Sequence, residues 1–157
     1  RWMPNLRGMA QPALYAITFA VALVGGLIPF IINVEVYLVA VVALSDTSAL
    51  AHVILMTAGQ TLAKWILYEA GKGVLHLRWI RWARMDKAKA AFERHGHKTM
   101  GVVAASATIG FPPLYGVALV AGTMRLPLRP FLLLITAGRF LRFGLVGLGP
   151  WLVQRYW

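Results

Sequence analysis

Few residues in this sequence could do chemistry, and most of them are basic. Glu35 follows Gly25-Gly26, Pro29 and Asn33, and no charged residue lies between Arg7 and Glu35. Arg139 and Arg142 are three apart in an otherwise apolar stretch, so on a helix they share a face, which Thr136 continues. Thr57, Gln60, Thr61, Lys64 and Tyr68 make a comparable polar stripe at helical spacing. Two such stripes on two apolar helices are predicted to face each other rather than lipid, enclosing a basic chamber with one acid. Phosphate suits such a chamber, because a guanidinium binds it bidentately and an ammonium as a point charge. Arg139, Arg142, Lys64 and Gln60 are therefore the candidate substrate-binding residues. Low dielectric favours the neutral form of a carboxylate, which makes Glu35 the candidate for proton coupling. Two alternatives stay open: Glu35 as permanent partner of a buried base, and Lys64 and the arginines snorkelling to the interface.

Other chemistry finds little support. Cysteine is absent, so there is no disulfide, thiol nucleophile or zinc–cysteine site. No Walker loop, nucleophile elbow or paired-carboxylate spacing occurs, and the hydroxyls lack a His-Asp partner. No catalytic residue, cofactor or metal site is expected. His95-Gly96-His97 lacks a convincing third ligand, and the lone His52 reads as a hydrogen-bonded packing residue.

The elements that must position these residues follow from composition. The chain has 157 residues, 59% apolar and 13% charged. Soluble domains run nearer half and a quarter, so an ordinary soluble globule and a disordered chain are both excluded. A bilayer span takes about 20 residues, which leaves room for roughly three or four. The net charge of +11 alone would fit nucleic acid or an anionic membrane surface, and the apolar content decides for the membrane. The apolar stretch after Pro12 lacks a small-residue cleavage site and is not read as a signal peptide.

Two apolar blocks are interrupted where a plain span would not be. The first contains Gly25-Gly26, Pro29, Asn33 and Glu35; the second contains Gly110 and Pro112-Pro113. Broken backbone at membrane depth survives only inside protein or beside a wet cavity. Each block is read as a re-entrant hairpin, with Pro29, Asn33, Pro112 and Pro113 at the tips; a proline-kinked span is the alternative. Ala13 to Gly25 is either a short crossing helix or the start of the first hairpin. Uninterrupted helices follow, roughly Ala49 to Gly71 and Pro130 to Trp151. Thr57-Ala58-Gly59 matches Thr136-Ala137-Gly138, and at the same separation Asn33-Val34 falls on Pro112-Pro113 and Gln60 on Arg139. The expected fold is thus an all-α integral membrane protein, an inverted repeat of re-entrant hairpin plus transmembrane helix. It is one membrane domain, with repeats over 12–72 and 99–155. Inverted repeats with discontinuous helices characterise secondary transporters.

Between the repeats, segment 73–98 carries Arg78, Arg81 and Arg84 interleaved with Leu75, Trp79 and Trp82. Such a helix can lie in the headgroup layer. Lys72 to Lys98 is strongly basic, Arg125 to Arg129 is basic, and Ser45 to Ser48 has no base, so segment 72–98 is predicted to be cytoplasmic. Asp86 to Glu93 reads as a second polar helix, stopped by Gly96.

Phe92-Glu93-Arg94-His95-Gly96, the Pro112 break, Ala121-Gly122 with Met124, Pro127 and Phe131, and then Gly138 resemble the DedA family of membrane proteins, the VTT or SNARE-associated domain. Glu35, Gly59, Tyr68, Gly71 and Lys72 fall where that family has an acidic tip and a glycine-tyrosine-glycine-basic pattern. The resemblance covers roughly residues 25–150. Ser106 to Tyr115 lacks the arginines that members carry there, so the chain is similar to the divergent YqaA-like branch. The resemblance implies two inverted re-entrant hairpins, a bacterial inner-membrane location, and translocation of an anionic lipid headgroup such as polyprenyl phosphate or a phospholipid, flippase- or scramblase-like and in some members ion-coupled. Membrane lipids are then the partners, with no nucleic acid and with a homo-oligomer open. A proton- or cation-coupled transporter of a small solute and a non-transporting assembly protein are the alternative readings.

Overall fold

The computed structural model describes residues 6–28, 33–45, 47–74, 96–110 and 113–156. All regular elements among the described residues are α-helices: α1 (Leu6–Leu27), α2 (Val34–Leu44), α3 (Ala49–Val74), α4 (Gly96–Thr108), α5 (Leu114–Thr123) and α6 (Leu128–Tyr156). Two of them, α3 over Ala49–Gly73 and α6 over Leu128–Gly149, are long and apolar enough to cross a membrane.

Both apolar blocks are interrupted, though the first break starts later than Gly25-Gly26 suggests. Helix α1 continues through both glycines and ends at Leu27. A helical glycine costs about 1 kcal/mol against alanine, but both are buried, and packing outweighs propensity there. Helix α2 starts at Val34 because Asn33 caps it, its side-chain oxygen accepting from the backbone N–H groups of Glu35 and Val36 at 3.2 and 3.3 Å. This cap supports a prediction. Asn33→Ala should cost about 1 kcal/mol, read as a melting point lower by a few degrees in detergent; an unchanged value would show that the cap is dispensable.

The second break lies between Thr108 and Leu114. Gly110 there has φ 92°, a left-handed conformation that suits glycine. The Pro113 carbonyl then accepts the N–H groups of Gly116 and Val117 to open α5. Helix α1 packs on α2, and α4 packs on α5. Pro29 and Pro112 lie outside the described residues, as does segment 75–95 with its arginine-tryptophan run and Asp86 to Glu93. Gly96, expected to stop a helix, instead belongs to α4.

The chain forms two compact units, Arg1–Gln60 with Phe140–Trp157, and Thr61–Arg139. The long helices are divided at Gln60/Thr61 and Arg139/Phe140, so the cut differs from the chain-order repeats.

In the first unit Ala22, Leu38, Val53, Met56 and Phe143 form the core. Gly59 lies against α1 there; a Cβ on it would meet the Ala22 Cβ at 2.7 Å. In the second unit the core is Tyr68, Val103, Ala107, Leu114, Val117, Ala118, Ala121, Phe131 and Ile135. Gly138 lies against α4 there, where a Cβ would meet the Ala107 Cβ at 2.7 Å. The two Thr-Ala-Gly triplets therefore make the same kind of contact, each within its own unit.

Helix α5 of the second unit ends in a Schellman turn. The Leu126 N–H donates to the Ala121 carbonyl and the Arg125 N–H to Gly122. Arg125 takes the left-handed position, φ 52°, where glycine is usual. The Tyr68 hydroxyl fixes the turn by donating to the Leu126 carbonyl.

Side-chain polarity on the long helices is inverted relative to a soluble protein. On α3 Thr57, Gln60 and Lys64 are buried, whereas Leu50, Ile54, Trp65 and Ile66 are exposed. On α6 Leu133, Phe140, Leu141 and Leu145 are exposed. Apolar surface repeated along a helix in this way marks a membrane or partner face.

Candidate functional site

Of the polar stripe anticipated on α3, Thr57, Gln60, Lys64 and Tyr68 are buried and Thr61 is partly exposed, and its members have different partners. In the second unit Lys64 is only 2% exposed. The Arg139 guanidinium from α6 is close enough for the two positive charges to interact. One turn before each of them, Thr61 and Thr136 bring α3 and α6 together, their hydroxyl oxygens 3.2 Å apart. Thr136 spends its proton on the Leu132 carbonyl, so Thr61 is the donor of this pair. Among the described residues of this unit the carboxylate is Glu69, which bonds Lys72 at 2.9 Å. Lys72 also lies 4.9 Å from the centre of the Tyr68 ring, a cation–π distance. Lys64 and Arg139 therefore place two basic groups near each other in a unit whose buried polar residues also include Ser106 and Thr123. An anion seated between them would reduce their repulsion.

In the first unit Arg142 bonds Glu35, Nε to Oε1 at 2.5 Å. The positions of both follow from their helices. Asn33 fixes the first turn of α2, and a carboxylate there meets the positive end of the helix dipole. Arg142 is one turn beyond Arg139 on α6 and reaches this acid. This matches the alternative in which Glu35 partners a buried base. Gln60 is 2% exposed and donates from Nε2 to the Ala22 carbonyl of α1 at 2.8 Å. Its amide thus ties α3 to α1. Of the four substrate-binding candidates, Lys64 and Arg139 sit together, Arg142 sits on Glu35, and Gln60 on backbone. Of the tip residues, Asn33 and Pro113 cap helices.

His52 proves richer than its sequence position suggests. It is fully buried in the first unit, with Nδ1 2.8 Å from the Thr18 hydroxyl and Nε2 2.7 Å from that of Thr47. The Tyr15 ring stands 5.0 Å away. The sequence signal for this cluster was the three-residue spacing of Tyr15 and Thr18, which puts both on one face of α1.

No protein-family model, characterised protein or solved structure that was compared with the chain matches it.

Proposed function

We propose that this protein is a membrane transporter that moves an anionic lipid headgroup, a polyprenyl phosphate or a phospholipid, between leaflets. The observation that carries this reading is Lys64, 2% exposed and near enough to Arg139 for the two charges to interact. Charge at membrane depth is costly and tends to mark a substrate path. A phosphate would bridge the ammonium and the guanidinium with charge-assisted hydrogen bonds.

In this reading α3 and α6 cross the bilayer, and the broken pairs dip into it as re-entrant hairpins. Lengths support that arrangement for α2 and for the second pair, whereas α1, at 22 residues, is about 33 Å long. Helices α2, α4 and α5 have 11, 13 and 10 residues, at most about 20 Å each, against a hydrocarbon core of about 30 Å. The exposed apolar residues on α3 and α6 would meet lipid tails. The inverted repeat, the cytoplasmic basic segment, the inner-membrane location and membership of the DedA family belong to the same proposal. The motif resemblance supports them.

Reconstitution tests the reading. Liposomes holding the purified protein and a headgroup-labelled anionic lipid are treated with a quencher confined to the outside. The wild type should expose inner-leaflet label quickly. Lys64→Gln and Arg139→Gln should each slow exposure about tenfold, as expected for losing a charge-assisted hydrogen bond of roughly 1.5 kcal/mol. Lys64→Arg should retain most of the rate. No flux in the wild type, or equal flux in all variants, would sink the proposal.

A further inference from the structure

We propose that His52 and the hydroxyls around it form a proton-binding site, and that this site, rather than Glu35, takes up the coupling proton. The second half of this inference rests on the transport reading above; the first half does not.

Six polar contacts run through the cluster in one chain. Ser45 donates to the Val41 carbonyl, and its hydroxyl meets that of Thr47. Thr47 meets His52 Nε2 at 2.7 Å, and Nδ1 meets Thr18 at 2.8 Å. Thr18 donates to the Leu14 carbonyl at 2.8 Å and meets the Tyr37 hydroxyl at 3.1 Å. Each contact needs one proton to be a hydrogen bond. The four hydroxyls supply four, because each carries one. A neutral imidazole supplies one more and leaves a contact in which two lone pairs face each other. An imidazolium supplies two, and every contact is then filled: Nδ1–H to Thr18, Nε2–H to Thr47, Thr47 to Ser45, Ser45 to Val41, Thr18 to Leu14, and Tyr37 to Thr18. The cluster is thus complete with one proton more than its neutral groups bring.

The Tyr15 ring from α1 lies 5.0 Å from the imidazole, tilted by 44°. Tyr15 from α1 and Tyr37 from α2 are the titratable groups that face His52 among the described residues. Glu35 of α2 and Arg142 of α6 bond each other in this unit. Asp46, next to Thr47 in sequence, lies outside the described residues. Access runs through the connection between α2 and α3, where Ser45 and Thr47 are partly exposed and Ser48 is exposed. When Nε2 is unprotonated, Thr47 donates to it; when a proton arrives, Thr47 turns and donates to Ser45. Proton uptake therefore reorients a hydroxyl in the connection after α2, the helix that carries Glu35 in its first turn.

Histidine-labelled protein in nanodiscs, followed by nitrogen NMR from about pH 8 to about pH 5, tests the site directly. The His52 signal is assigned by its loss in His52→Gln. It is expected to pass from one neutral tautomer to imidazolium. Thr47→Val removes the Nε2 acceptor and should leave about fivefold less imidazolium at about pH 6, the equivalent of one hydrogen bond. A His52 that stays neutral throughout, or is unaffected in Thr47→Val, overturns the site. In liposomes, the ratio of lipid flux with and without a pH gradient should fall toward one in Thr47→Val. Wild-type flux that ignores the gradient while His52 titrates overturns the coupling role and leaves the site standing. Absence of any lipid flux overturns the transport reading and the coupling role together, while the NMR titration still decides the site.

Discussion

Gly122→Ala is expected to destabilise the protein by about 3 kcal/mol, the upper part of the range for overpacking a tight contact. In the second unit, α3 and α5 cross at two glycines. A Cβ on Gly122 would run into the Tyr68 carbonyl oxygen, and a Cβ on Gly71 into the Leu119 carbonyl oxygen. Both obstacles are backbone, so no rotamer change can clear them and the helices must separate. Separation would also loosen what Tyr68 holds: its ring contact with Phe131 at 5.3 Å and its hydroxyl bond to Leu126, which secures the turn into α6. Gly73→Ala and Gly116→Ala are the controls. Nothing stands within 4 Å of a Cβ at either position, and both are helical. They should be neutral or stabilising by up to about 1 kcal/mol, from helix propensity alone. Melting in detergent, followed by circular dichroism, measures all four variants, Gly71→Ala included. A Gly122→Ala protein that melts with Gly116→Ala would refute the close crossing.

That crossing illustrates what the sequence conveyed and what it withheld. Gly71 and Gly122 could be seen as small residues on apolar helices, but not as partners, because the chain does not record which helices meet. Local signals carried further. Gly110 and Pro113 marked the second break because each acts on its own backbone, and Asn33 marked the start of α2 because a cap bonds to the next turn. Gly25-Gly26 misled for the complementary reason: burial overrode a weak local preference. The spacing of Thr57, Gln60 and Lys64 gave their common buried face, since one helical period fixes it. It did not give their partners. Gln60 was grouped with the cations by repeat offset, yet its amide goes to the Ala22 carbonyl. His52 showed its burial but not its relay, which needs Thr18 from α1 and Thr47 from the connection after α2.

The chemistry that follows is a division of labour between two sets of charges. Lys64 and Arg139 share one unit and repel, and under the transport proposal they would hold the anion. Glu35 and Arg142 share the other unit and attract, so their charges are already balanced. A group committed to an ion pair makes a poor carrier, because releasing or taking a proton there also breaks the pair. His52 changes its proton number at the cost of one hydroxyl contact and no ion pair, which is why it is the better candidate for coupling.

The Glu35–Arg142 pair can be separated from a carrier role by a double-mutant cycle. Each single change, Glu35→Gln or Arg142→Gln, is expected to cost roughly 2 kcal/mol, below the 3–5 kcal/mol typical of fully buried pairs. The discount reflects side chains that are 31% and 25% exposed. The two losses differ in kind. Arg142→Gln leaves a carboxylate at the N-terminus of α2, where Asn33 has fixed the turn and the helix dipole partly compensates it. Glu35→Gln leaves a guanidinium on an apolar helix, so it should be the costlier change. The double variant replaces both charges by amides that can bond each other, and should recover about 1–2 kcal/mol relative to the sum of the singles. Melting of the four proteins gives the coupling energy, and additive losses would exclude a structural pair. Lipid flux in the same proteins separates the roles. If Glu35 only holds Arg142, the double variant regains flux along with stability. If Glu35 carries the proton, flux stays abolished however stable the double variant is, and the assignment of coupling to His52 fails with it.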